Sequence, residues 1–291
     1  MSHVQDNTHA SPAVGRLLTD YLETKSRHDV EATMEFLSRD KLVYSDATLG
    51  WVTSWESLHG IFAQFMPNWG DGVAYATAVL GNDRSAVVVM RDSPELFGAE
   101  ILVLAAVDID DDGKITRWVD YWDGRHFGLT LLSQLGGTPA ESFPDSFGEE
   151  NIPSAAAPEM RAFVEQFTDR LGRSDIVGAS TMFAVDAVLE DMTTHTSVRG
   201  RAAIERYLER AIAQLPYGAG VGVRRVLGSA NAGGFEWVNP GSAAKRGMSG
   251  ISLDPDGNVI QMRSVWNGAL VGDKTLTTLT LAALEPSDNN E

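Results

Sequence analysis

The sequence holds no cysteine in 291 residues. This removes disulfides, thiolate nucleophiles and cysteine metal ligands together, and suits a reducing cytoplasm. Positive charge is also scarce: 23 lysines and arginines stand against 40 aspartates and glutamates, a formal net charge of -17. Phosphate backbones and anionic membrane surfaces would be repelled, so neither nucleic acid nor membrane is an expected partner, and a neutral or cationic small molecule is the easier ligand. Long apolar runs are missing too. The longest, Ile101 to Val107, has the length of a buried strand rather than a membrane span. Met1 to Val14 lacks the basic-then-apolar layout of a signal peptide, so a cytoplasmic location is expected. His59, His126 and His195 form no pair at i, i+4, and no glycine-rich loop joins a strand to a helix. Neither a metal nor any other cofactor is expected.

What is present is a repeat. Gly113 to Gly124 is a strand candidate bounded by glycines, rich in branched and aromatic residues. Side-chain alternation puts Trp118, Asp120 and Trp122 on one face and Val119, Tyr121 and Asp123 on the other. Gly257 to Gly268 repeats the glycine bounds, the apolar pair after the turn, and the tryptophan two residues before the closing glycine. Ser264 stands there in place of Asp120, and Asn267 in place of Asp123. With 43% hydrophobic residues, each half can bury a core of its own.

The surrounding order of elements also repeats. Val14 to Leu37 reads as helix with an interruption at His28-Asp29. A short strand, Leu42 to Asp46, follows, then a helix carrying Leu58, Ile61, Phe62 and Phe65, and strands at 73–80, 85–90 and 99–109. From Gly136 to Pro158 the composition shifts to Gly, Pro, Ser and Glu, as in a linker. The pattern restarts with a helix over 158–183, a strand at 187–191, a helix at 201–215, and strands near 221–227, 234–238, 247–253 and 259–266. Glu285 to Glu291 reads as a disordered acidic tail. Aligning the halves on Asp29 and Asp175 pairs Tyr21 with Phe167, Asp40 with Asp186 and Ser45 with Asp191. The expected fold is α+β: two cone-shaped domains in tandem, residues 10–135 and 158–283, joined by a linker at 136–157. Each packs N-terminal helices on a curved antiparallel sheet, and the two can meet sheet to sheet as an internal pseudo-dimer. Homodimerisation of the whole chain is left open.

Phe183 to Asp191 followed by Arg199-Gly200-Arg201-Ala202-Ala203-Ile204, and Trp118 to Asp123 followed by His126-Phe127 and Leu131 to Gly136, resemble the nuclear-transport-factor-2-like superfamily. The likeness is to its SnoaL-like polyketide cyclase and ketosteroid isomerase branches, whose fold is a cystatin-like roll. The resemblance implies a cavity inside each cone and places Asp191 at the general-base position. Departures accompany it. The second half has Phe167 where isomerases carry the oxyanion-stabilising tyrosine and Ser249 where they carry a protonated aspartate; the first keeps Tyr21 but has Ser45 at the base position and Ala105 at the acid position.

The candidate catalytic residues are therefore Asp120, Asp46, Tyr21 and Asp191. A carboxylate between indoles is desolvated, which raises its pKa toward the range of a general acid or base. Asp46, expected nearer the mouth and ionised, would be its partner, and Tyr21 the hydrogen-bond donor. Each has a bland reading as well. Asp120 would be a buried ion-pair partner of Arg117 or Arg91, Tyr21 a core residue, Asp46 a turn residue. For Asp191, a pocket that binds without turnover is as open as donors supplied by Glu190, Ser264 or Arg246. Trp118, Trp122, Trp266, Ser264 and Met262 are expected on cavity faces, favouring a flat, apolar, polycyclic ligand. Together these point to an acid–base enzyme without a cofactor (cyclase, isomerase or epoxide-opening hydrolase, of secondary metabolism). The alternative is a non-catalytic small-molecule-binding or scaffold protein with a degenerate second domain.

Overall fold

The computed structural model describes residues 5–126, 138 and 142–284. The expected Phe127 and Leu131 to Gly136 segment and the acidic tail from Glu285 lie outside the described residues. In the first half, α1 (Pro12–Ser26) and α2 (Val30–Met34) are followed by β1 (Val43–Asp46), β2 (Trp51–Thr53), α3 (Trp55–Phe65), β3 (Ala74–Gly81), β4 (Ser85–Asp92), α4 (Pro94–Phe97), β5 (Ile101–Ile109) and β6 (Ile115–Trp122). The second half holds α5 (Pro158–Gly172), α6 (Ile176–Ser180), β7 (Phe183–Asp191), β8 (Thr196–Arg199), α7 (Arg201–Ala211), β9 (Gly222–Gly228), β10 (Ala232–Val238), β11 (Arg246–Leu253), β12 (Val259–Trp266) and α8 (Asp273–Ala282). The short strands β2 and β8, and α8, have no counterpart in the sequence reading. The fold is α+β with two six-stranded sheets, ordered β2-β1-β6-β5-β4-β3 and β8-β7-β12-β11-β10-β9, so one topology occurs twice.

The breaks between the paired helices have a shared local cause. His28 and Ser174 both take positive φ, 59° and 57°, and Asp29 and Asp175 then cap the next helix by accepting from Ala32 and Gly178 amides. Not every strand pair is antiparallel: β1 lies parallel to β6, and β7 to β12. That pairing sets Tyr44 beside Trp118 and Asp46 beside Asp120 in one half, and Asp191 beside Ser264 in the other. The inferred match of Ser45 with Asp191 is therefore corrected to Asp46 with Asp191. The first half has one residue more between its helix break and this strand, and a one-residue slip turns a strand's side chains to the opposite face.

The two sheets face each other. Val87, Leu104, Val119 and Tyr121 of the first pack with Leu227, Met248 and Val265 of the second in one buried layer. Gly234 allows the approach, since a Cβ there would sit 2.2 Å from the Ser249 carbonyl oxygen and 3.0 Å from Val87. Buried charges cross the same seam. The Arg117 guanidinium donates to Glu236 at 2.7 Å and lies 3.4 Å from Asp108, Arg225 donates to Asp108 at 2.7 Å, and the Tyr121 hydroxyl donates to Glu236 at 2.7 Å. The Arg117 charge holds Glu236 below the usual glutamate range despite complete burial. Arg117 is thus a seam residue, not a partner of Asp120. No helix among the described residues is long and apolar enough to cross a membrane.

Candidate functional site

In both halves an aspartate ends the strand and ties down the following turn. Asp46 Oδ1 accepts from the Thr48 and Leu49 amides at 2.9 and 2.7 Å, and Oδ2 from Trp122 Nε1 at 2.8 Å. Asp191 Oδ1 accepts from Thr193 and Thr194 amides at 3.0 and 2.9 Å, and Oδ2 from Trp266 Nε1 at 3.0 Å. The Thr48 and Thr193 hydroxyls donate to the carbonyls of those same tryptophans. The turn reading of Asp46 is therefore correct, and Asp191 does the same work. What lies beyond each turn differs.

Inside the first cone is a cavity of about 400 Å3, bordered by Tyr44, Trp51, Phe62, Trp69, Trp122 and aliphatic side chains, with Asp46, Asp92, Asp120 and Lys25 as its charged groups. Asp120 is half-buried; Trp118 Nε1 donates to its Oδ1 at 2.6 Å and the Tyr44 hydroxyl to its Oδ2 at 3.0 Å. Desolvation raises its pKa, while the Lys25 charge and these two donors hold it down. Asp46 is more buried than Asp120. Burial and the adjacent Asp120 charge push it up to about 7, against its three N–H donors. Asp46, expected nearer the mouth and ionised, is instead the more deeply seated of the two, because parallel pairing puts it beneath the turn it holds.

Asp92 and Lys25 were not among the sequence candidates. Asp92 closes β4; its Oδ1 is buried without a hydrogen-bond partner, and burial pushes its pKa up to about 6, with Lys25 opposing. Lys25, in the last turn of α1, is 8% exposed. Its ammonium stands 5.7 Å from the Phe62 ring centre and 6.0 Å from that of Trp69. Among the described residues no carboxylate oxygen comes within 4.0 Å of it. A cation and three carboxyls thus share one aromatic chamber without closing on each other. Tyr44 carried a usable signal, being two residues before Asp46 on the same strand face. Lys25 and Asp92 carried none, as a helix lysine and an aspartate before Ser93-Pro94 read as ordinary surface.

The other candidates lie elsewhere. Tyr21 is fully buried, its ring 5.0 Å from Trp118 and its hydroxyl beside that of Tyr44. It backs the wall, and Tyr44 is the hydroxyl that reaches Asp120. Trp118 is likewise fully buried and presents only its N–H to the site. In the second cone Tyr207, Tyr217 and Trp237 are buried, and the Tyr217 hydroxyl donates to Asp191 Oδ2 at 3.0 Å. Ser264 bonds to Ser249 Oγ at 2.8 Å, and Met262 belongs to the core. Trp266 is buried and borders a separate cleft between the halves.

No known family's sequence pattern matches the chain, and no curated protein matches it. Solved structures do. A steroid delta-isomerase from Pseudomonas aeruginosa is 15% identical over 45% of this chain and 93% of its own, with a TM-score of 0.35. A SnoaL-like protein of unknown function from Burkholderia thailandensis is 12% identical over 38% and 95%, at 0.33. An NTF2-like protein of unknown function from Cytophaga hutchinsonii is 11% identical over 43% and 97%, at 0.33. The chain is similar to the NTF2-like, SnoaL-like and ketosteroid isomerase folds that its sequence resembles.

Proposed function

We propose that the first cone is an acid–base active site for an apolar small molecule with a polar oxygen, working with the chain's own carboxyls. The observation that carries this reading is the convergence of Asp46, Asp92, Asp120 and Lys25 on one aromatic chamber. Asp92, with a buried oxygen free of partners, is the proton acceptor. Asp120, polarised by Tyr44 and Trp118, orients and exchanges the proton, and Lys25 steadies negative charge developing on the ligand oxygen. Asp46 and Asp92, held up to about 7 and about 6, sit where proton transfer near neutral pH is most efficient. Trp51, Trp69 and Trp122 would stack on a flat ring system. The second cone, with Tyr217 on Asp191, is read as a structural copy without turnover.

The test is to incubate the full chain with flat cyclic ketones in D2O, and with epoxides of similar size, following both by NMR. Exchange of protons next to the carbonyl, or ring opening, above the buffer rate is expected, falling ~100-fold or more in Asp92→Asn and Asp120→Asn. Tight ligand binding with no exchange or opening across the panel would favour the binding-protein reading instead.

A further inference from the structure

Arginines in and beside the seam have carboxylate partners. Arg117 pairs with Glu236 and Asp108, Arg225 with Asp108, and Arg224 with Glu149 at 2.8 Å. Arg246 differs. Its guanidinium lies over Phe143 and Phe147, 5.3 and 5.0 Å from their ring centres, and its Nη1 is buried with no hydrogen-bond partner. Among the described residues it enters no ion pair; Asp145 and Glu149 act on it only at longer range. Arg246 is partly buried, and its buried Nη1 donor without an acceptor is costly until an acceptor arrives.

Arg246 borders a cleft of about 200 Å3 between the two halves. Lys245 lies next to it, Thr48 and Asn267 add polar groups, and Trp122, Trp266, Phe143 and Leu270 give apolar walls. No carboxylate is among the described residues that line it, in a chain of net charge -17. The cleft is therefore a local exception to the overall repulsion of anions. An apolar-walled cleft bordered by a guanidinium with an unpartnered Nη1 matches a ring or short apolar body bearing a carboxylate, the anion a guanidinium binds best.

We propose that this cleft is a second ligand site, distinct from the first-cone chamber, for small planar carboxylates, with Arg246 receiving the carboxylate and Trp266 and Phe143 the apolar body. The site stands whether or not the first cone is an enzyme, because none of its charged groups belongs to that chamber.

Calorimetric titration of the full chain with benzoate tests it. Benzoate is expected to bind, at least tenfold more weakly to Arg246→Gln, and with Arg246→Lys in between. Benzamide, of the same shape but neutral, should bind the native protein at least tenfold more weakly than benzoate. Lys25→Met should leave benzoate binding unchanged. Failure of the native protein to bind benzoate at millimolar concentration would overturn the proposal. So would equal binding by Arg246→Gln, or loss in Lys25→Met alone, which would place the anion in the first cone. If Arg246→Gln does not fold, Leu270→Trp, which enlarges a side chain lining the cleft, replaces it and is expected to abolish binding; undiminished affinity there is equally fatal.

Discussion

Asp46 borders an open chamber, whereas Asp191, at the matching position of the other cone, meets the Tyr217 hydroxyl at 3.0 Å. The turn, the tryptophan N–H and the threonine hydroxyl bond are the same on both sides. What differs is whether an aromatic side chain fills the space above them. A strand-end aspartate in this fold is thus first a turn anchor, and it becomes a candidate for chemistry only where the interior is left open and a second carboxyl, Asp120, stands where the other cone has Ser264.

The comparison breaks most visibly at Tyr217. Tyr217→Ala empties a packed interior and removes a donor from a buried carboxylate, so denaturant titration should show a loss of about 3–5 kcal/mol. Trp69→Ala, at the lining of the open chamber, should cost clearly less, because no filled interior collapses. Equal losses would mean the first cone is not pre-opened. Next in size is chemistry: Asp120→Asn should lower turnover ~100-fold, equivalent to about 2.7 kcal/mol of barrier, while Ser264→Ala leaves it unchanged. A larger loss from Ser264→Ala would put the active site in the wrong cone.

Turn anchoring should be alike in the two cones. Asp46→Ala and Asp191→Ala each strand two backbone amides and an indole N–H, and each should cost about 1–3 kcal/mol in thermal or denaturant unfolding. The smallest effects are in pH. Asp46 and Asp92 stand above the ~3.9 of a free aspartate. Between about pH 4 and pH 7 the folded chain therefore holds protons the unfolded chain has lost, and these two groups make stability fall as pH rises through that window. Turnover should peak between the deprotonation of Asp92 near 6 and that of Asp46 near 7. Since the Asp120 charge raises both, Asp120→Asn should move both limbs of the residual activity to lower pH. Unmoved limbs would show that the carboxyls do not sense one another.

Much of the fold was legible. The doubled glycine-bounded strand and its alternation correctly separated Trp118 and Trp122, in the first core, from Val119 and Tyr121, in the seam. That same alternation could have selected Tyr44, which shares a face with Asp46. Tyr21 was placed inward by helix spacing, which does not tell how far a side chain stands behind another, here Tyr44. Lys25 and Asp92 were illegible for a different reason: the end of α1 and the end of β4 meet only through the packing of helix on sheet, and no local pattern records it. The filling of the second cone was hidden likewise, since Pro216-Tyr217-Gly218 reads as a turn.

The seam carries information about which surfaces belong together. Arg117 and Asp108 oppose one another across β5 and β6, and register places Gln261 and Ser252 at the matching positions of the second sheet. Glu236 is matched by Val89, both lying opposite equivalent β5 and β11 residues. A first half that met its own twin would set Arg117 against Val89, keeping Asp108 of its own sheet but losing the buried Glu236 partner that the second half supplies. The duplicated halves have thereby become unlike in polarity as well as in interior. Only the pairing of unlike halves brings Glu236 to Arg117 and Arg225 to Asp108, so the charges of the seam favour the covalent sister over a twin.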